Sequence, residues 1–147
     1  MEAKLRRRLQ IEESLLKQYF PTFRVQDLYG GPNPGAVGKL RTQSGKEYAV
    51  FLKLGQFPDD APKMYVVSPK LLNHRGVSMT TYGASAVMHT LNGDEHGNTQ
   101  ICHYSGRFWN PRKTLYLCVM KGRLWLEAYE AHVRTGEDID TWLGHMS

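Results

Sequence analysis

Cysteine is scarce in this chain, and long hydrophobic runs are missing. The two cysteines among the 147 residues are Cys102 and Cys118, too few for the disulfide framework of a small secreted domain. No stretch approaches the ~20 apolar residues of a membrane-spanning helix. Residues 1–20 also lack the apolar run of a secretory signal. We therefore expect a cytoplasmic protein with no membrane partner.

A nucleotide-binding motif is suggested but incomplete. The segment "NPGAVGKL" (33–40) resembles a phosphate-binding loop, but Asn33 stands in place of the first glycine. Leu40 stands in place of the hydroxyl residue that holds magnesium, and a strand pattern follows where the motif needs a helix. We therefore predict no ATP site and no cofactor in this chain.

Metal and hydrolase sites are also poorly supported. The potential metal ligands are His89, His96, Cys102 and His103. Their loose spacing and single thiol do not fit a structural zinc site, so we predict no metal. A cysteine hydrolase would need His89 or His103 as a base for Cys102, but no acyl-hydrolase signature surrounds the thiol.

The chain is moderately basic and rich in large apolar groups. Its net charge is +5, which favours acidic partners such as nucleic acid or an acidic protein face, or simply solubility. We favour solubility and do not expect nucleic acid as a partner. Three Trp, eight Tyr and five Phe can build a core, and the length fits one domain.

The first half of the chain has clear periodicity. Residues 3–20 predict an amphipathic helix that Pro21 ends. Four strand patterns follow with short connections, which favours an antiparallel meander. These strands are predicted at residues 23–29, 37–42, 46–54 and 63–69.

The second half contains an irregular segment and a helix. Residues 70–110 show little periodicity but enough apolar content to predict an ordered loop. A helix is predicted to begin with Asn110 as its N-cap and Pro111 as its first residue, and to end at Gly136. Its apolar stripe is expected at Leu117, Leu124, Ala128 and Ala131. Trp142 and Leu143 are expected to anchor the tail.

Cys102 stands between a polar run and a predicted helix start. The run "GDEHGNTQ" (93–100) precedes it, and Trp109 follows. Such a thiol either fills core space, binds a metal or does chemistry. Cys118, inside the predicted helix, reads as an inert core residue. We expect His103 at the surface and Trp109 as a structural wedge under the cysteine loop.

Read in order, these features resemble a ubiquitin-conjugating enzyme domain. The proline-bearing aromatic loop "FPDDAPKMYVVSP" (57–69) lies where the family has one. The other matching positions are Gly97, Ile101, Cys102, Trp109, Pro111, Thr114 and Leu115. The resemblance implies a single α+β domain over residues 1–147 with the UBC-like fold. That fold has an N-terminal helix, a four-stranded antiparallel meander, an active-site loop and a C-terminal helix. It also implies that Cys102 is the catalytic thioester cysteine.

The family's His-Pro-Asn motif is absent, and "MHTLNGDEHGNTQIC" stands there instead. By the resemblance, either His89 or Asn92 supports the oxyanion or the active-site loop. The chain is most similar to diverged bacterial members, above all the stand-alone conjugating enzymes of short type II cyclic-oligonucleotide antiphage (CBASS) operons.

The resemblance also implies the partners of the protein. The acyl donor would be the C-terminal tail of a cyclic-nucleotide synthase, or else a bacterial ubiquitin-like protein. Since this chain shows no ATP motif, either an activating enzyme supplies the ATP-dependent step or the donor arrives already activated. A third alternative is an inactive UBC-like binding scaffold.

Overall fold

The protein combines two long helices with one antiparallel sheet. Its structure is a computed structural model that describes residues 1–104 and 108–143. The elements are α1 (Ala3–Tyr19), β1 (Arg24–Gln26), β2 (Gly35–Arg41), β3 (Glu47–Lys53), β4 (Lys63–Ser68), β5 (Thr90–Leu91), β6 (Thr99–Ile101), α2 (Leu115–Thr135) and α3 (Asp140–Leu143). Among these residues, no helix is long and apolar enough to cross a membrane.

The sheet is a meander that two short strands extend at one edge. Its order is β1-β2-β3-β4-β6-β5, and all neighbours are antiparallel. The first four strands confirm the predicted meander, but the count of four strands is wrong. β5 and β6 come from the segment predicted to be an irregular loop. They have two and three residues. Strands this short do not show the alternation of apolar and polar residues from which strands are predicted.

An aspartate turn joins β5 to β6. Asp94 Oδ1 accepts hydrogen bonds from the backbone N–H groups of His96 and Asn98, both at 2.9 Å. Such side-chain bonds to the following backbone are the usual way in which aspartate stabilises a turn. The turn sends the chain back beside β4, so that Cys102 comes directly after β6.

The core lies between one face of the sheet and α2. Alternate residues of β2, β3 and β4 are buried, as expected when one face of a sheet is covered. Gly122 of α2 lies directly on Met64 of β4, with no room for a Cβ atom. Trp125, one turn further along α2, is fully buried.

The predicted start of α2 is wrong by one turn, whereas its end is confirmed. The N-cap is Thr114, whose hydroxyl accepts a hydrogen bond from the Leu117 N–H at 3.1 Å. Asn110 instead closes a turn, accepting from the Arg112 N–H. Gly136 ends the helix with a left-handed backbone at φ +80°, which glycine adopts freely.

The buried stripe of α2 agrees with the prediction only in part. Ala128 and Ala131 are buried as predicted, but Leu117 and Leu124 are 37% and 52% exposed. The core-facing side is therefore rotated towards Cys118 and Trp125. The tail is anchored by the fully buried Ile139 rather than by Trp142, which is 41% exposed. Leu143 packs partly against the core, as expected.

A buried ion pair locks α1 onto the start of α2. Glu12 is 1% exposed and accepts from Arg8 Nε and from the Leu115 N–H, both at 2.8 Å. The Arg8 guanidinium donates in turn to the carbonyls of Pro111 and Lys113 at 2.6 and 2.8 Å. The carbonyls just before α2 therefore accept from Arg8 and not from a helical N–H group, so the helix does not extend back into residues 111–113.

Replacement of Glu12 by alanine should destabilise the fold strongly. Glu12→Ala leaves the Arg8 charge and the Leu115 N–H without their partner, which should lower the free energy of unfolding by about 3 kcal/mol. Urea denaturation followed by circular dichroism measures this loss. The matched control is Glu47→Ala, which removes an ion pair to Arg41 whose side chains are 44% and 68% exposed. It should cost far less than Glu12→Ala, because solvent screens an exposed pair, and equal losses in the two variants would contradict the role of Glu12.

Candidate active site

Cys102 lies at the end of β6, where the sheet gives way to the loop before α2. Its N–H donates to the His89 carbonyl at 2.9 Å, one step beyond the Thr90–Ile101 pair of the β5–β6 ladder. The side chain is partly exposed, and the thiol contacts the Tyr104 carbonyl at 3.7 Å. Cys118, by contrast, is fully buried, so Cys102 is the accessible thiol.

Among residues 1–104 and 108–143, nothing activates the Cys102 thiol electrostatically. Burial raises the pKa of the Cys102 thiol, and no charged group in that part of the chain offsets the shift. Reactive cysteines usually have a lowered pKa, set by a nearby cation or a helix N-terminus. Cys102 is therefore a protonated thiol at neutral pH, which suits exchange with an already activated acyl group better than attack on an unactivated amide.

Aromatic rings build the floor of the site. The Tyr104 ring lies 5.3 Å from the Trp109 ring and receives Lys113 Nζ and Lys121 Nζ at 4.4 and 4.5 Å from its centroid. Trp109 Nε1 donates to the Pro58 carbonyl at 3.0 Å. Trp109 thus ties the cysteine loop to the proline-bearing loop, and it is the structural wedge that the sequence indicates.

The prediction that His103 lies at the surface is wrong. Its side chain is 3% exposed and its ring lies 5.5 Å from the Tyr104 ring. Burial lowers the pKa of His103 to about 4, although a contact with the Ile101 carbonyl opposes the shift. His103 is therefore a neutral floor residue, which the residue order alone does not reveal because β6 is so short.

The structure brings His89 next to Cys102. The His89 backbone is left-handed, with φ +50°, and its carbonyl accepts from both the Cys102 N–H and Trp125 Nε1. The side chain turns to α3, where Nε2 contacts Asp140 Oδ1 at 2.6 Å. Asp140 is the neighbour that sequence reasoning missed, since it lies 51 positions away and no local motif marks it.

Asn92 lies further from the thiol. Its position is three residues beyond His89, which corresponds to about 10 Å along a strand. Asn92 Oδ1 accepts from the Ala84 N–H at 2.9 Å, so that its oxygen supports the loop at residues 83–85. Of the two predicted auxiliary residues, His89 is the one whose backbone the structure places beside Cys102.

The four potential metal ligands do not form one cluster. His96 is exposed on the Asp94 turn, with Glu95 at 3.4 Å, whereas His103 is buried below the sheet edge. Across residues 1–104 and 108–143, no group of three or more His, Cys, Asp and Glu side chains is placed to hold a metal ion.

Alkylation should distinguish the two thiols. In native protein at neutral pH, we expect iodoacetamide to label Cys102 alone, severalfold more slowly than free cysteine, because burial raises the pKa of this thiol. Intact mass spectrometry measures the rate, which should keep rising as the pH becomes alkaline. Cys102→Ala should abolish labelling until the protein is denatured. Labelling faster than that of free cysteine would show that the thiol is activated.

Protonation of His103 should destabilise the protein in acid. The folded pKa is about 4 and the unfolded value about 6.5, so the unfolded chain binds this proton first as the pH falls. The stability present above pH ~6.5 is therefore lost towards pH ~4, by up to ~3 kcal/mol. Denaturation midpoints measured across this range should fall less steeply in His103→Asn, whereas His96→Gln at the exposed turn should behave as wild type. Identical slopes for wild type and His103→Asn would contradict the assignment.

Comparisons with protein-family models, curated proteins and solved structures give no match for this chain. What supports a function is then the site itself, with an accessible thiol, an adjacent histidine and a carboxylate from α3.

Proposed function

We propose that the protein is a UBC-like acyl carrier that forms a thioester through Cys102 with the C-terminal tail of a partner protein. The observation that carries the proposal is the placement of the single accessible thiol among the described residues at the end of β6, beside His89. The order of α1, an antiparallel meander, the cysteine segment and α2 also supports a UBC-like fold.

The thiol suits a carrier of activated acyl groups. In the first step Cys102 Sγ attacks the activated carbonyl carbon, the bond to the activating group breaks, and the thiol proton leaves with that group. In the second step an amine attacks the thioester, a C–N bond forms and the C–S bond breaks. Thioesters remain reactive towards amines, so neither step needs a strong base at the thiol.

The partners follow from this chemistry and from the family resemblance. The acyl donor is the C-terminus of a cyclic-oligonucleotide synthase, whose activity the carrier then regulates, or alternatively of a bacterial ubiquitin-like protein. Activation of that carboxylate requires an ATP-dependent partner enzyme. The partly exposed position of Cys102 fits an extended tail better than a small molecule in a deep pocket.

A binding scaffold without catalysis is the second candidate. The observation that favours it is the raised pKa of Cys102, which slows any reaction that needs the thiolate. On this alternative, partner binding would persist without any covalent adduct and would not depend on the sulfur atom.

Substitution at the two cysteines separates these functions. The protein is co-expressed with a candidate cyclic-oligonucleotide synthase and a candidate activating enzyme, and adducts are resolved on gels with and without reductant. Cys102→Ala should reduce the reductant-sensitive adduct to background, and Cys102→Ser should trap a reductant-resistant ester. The matched control Cys118→Ala should retain the adduct and lose only core stability. An adduct that survives Cys102→Ala would refute the carrier role, and partner binding without any adduct would support the scaffold.

A further inference from the structure

The contact between His89 and Asp140 joins α3 to the segment that holds Cys102. Besides the bond of 2.6 Å between His89 Nε2 and Asp140 Oδ1, the Asp140 N–H donates to the Val87 carbonyl at 2.8 Å. One residue of α3 thus binds both the backbone before His89 and its ring. The two side chains are 17% and 49% exposed, so the pair lies at the rim of the site.

The carboxylate fixes the tautomer of the imidazole. An ionised carboxylate only accepts hydrogen bonds, so Nε2 of His89 must carry the hydrogen that lies between them. In the neutral ring Nδ1 is then unprotonated and able to accept a proton. Among the described residues, the hydrogen bond of the His89 ring is the one between Nε2 and Asp140 Oδ1.

His89 is close enough to Cys102 to act on a group attached to the thiol. The Cys102 N–H donates to the His89 carbonyl at 2.9 Å, so the two backbones touch just beyond the end of the β5–β6 ladder. No hydrogen bond joins the two side chains among the described residues. This spacing suits a base for an incoming amine, because the amine attacks the acyl carbon and so lies beyond the sulfur.

Resting on the proposed carrier function, we infer that His89 Nδ1 takes the proton from the amine that attacks the Cys102 thioester, and that Asp140 is the residue that positions His89. The amine nitrogen bonds to the acyl carbon, and the C–S bond breaks with its electron pair going to Sγ. The amine proton moves to Nδ1 and then to Sγ, which restores the thiol. In the described part of the chain, three groups surround His89: the Asp140 carboxylate from α3, the Cys102 thiol, and the neutral indole of Trp125 from α2, which donates to the His89 carbonyl.

The test loads Cys102 without its natural partner. The whole protein is incubated with a short glycine-ended peptide thioester, whose acyl group exchanges onto Cys102, and the purified adduct is followed by intact mass spectrometry. Trifluoroethylamine is the acceptor, since it is largely unprotonated near neutral pH and does not impose its own titration. In parallel, nitrogen-15 spectra of the histidines report the tautomer of His89.

Two variants should discharge the thioester more slowly. His89→Gly keeps the left-handed backbone accessible and leaves space for a free base. Its rate should fall about 100-fold and recover when imidazole is added. Asp140→Asn should slow discharge about 10-fold, because an amide can donate to Nε2 and release the fixed tautomer. Its nitrogen-15 spectrum should show that change.

Asp138→Asn is the matched control. It removes the same charge two positions earlier, from an exposed side chain, and should behave as wild type in rate and tautomer. Wild-type rates in both His89→Gly and Asp140→Asn would overturn the inference while leaving a loaded Cys102, and so the carrier function, intact. The inference would also be overturned if His89→Gly discharged slowly without rescue by imidazole, or if Asp140→Asn discharged slowly without a change of the His89 tautomer. Failure of Cys102 to load in wild type would instead overturn both.

Discussion

The carbonyl of His89 is the point on which the site depends. It accepts one hydrogen bond from the Cys102 N–H at 2.9 Å and another from Trp125 Nε1 at 3.0 Å. Trp125 of α2 is fully buried in the core. Its indole therefore holds the backbone at the start of β5, and through it the end of β6, in a fixed position. The left-handed backbone at His89 costs energy in a residue other than glycine. The two donors and the Asp140 contact hold it there, and the thiol is thereby placed relative to the hydrophobic core.

In the proposed carrier role, the partial burial of Cys102 would balance two requirements. A thiol with a raised pKa is a poor leaving group, because a less acidic thiol departs more slowly. The acyl group would therefore remain attached until an amine is correctly placed and its proton has somewhere to go. An activated thiolate would load faster but would also lose its cargo faster. The burial that raises the pKa of the thiol thus fits a role in which holding the acyl group matters as much as accepting it.

The sequence predicts the elements whose cause is local and misses those whose cause is tertiary. The extent of α1, the presence and order of the first four strands, and the stop at Gly136 follow from periodicity and from glycine and proline positions. The first strand is shorter than predicted, at Arg24–Gln26 instead of 23–29. The start of α2 cannot be predicted in this way. It depends on hydrogen bonds from Arg8, more than 100 positions away, to the carbonyls of Pro111 and Lys113. Cys102, and with it His89 or Asn92, are candidates because of the family resemblance. Asp140 could not be named, since only the fold of the tail brings it to the site.

The tail is held in this position by packing rather than by the contact between His89 and Asp140. A pair as exposed as His89 and Asp140 contributes less than about 1 kcal/mol to stability, too little to hold a chain segment in place. Burial of the Ile139 side chain, which is fully enclosed, contributes about 1.5–3 kcal/mol. The turn at Gly136 directs the chain so that Ile139 enters the core, and Asp140 then faces His89 as the next residue. Because packing of Ile139 holds the segment, Asp140 is not needed for the fold and can serve to orient the imidazole of His89. The charge of Asp140 can therefore be removed, as in Asp140→Asn, without loss of the fold.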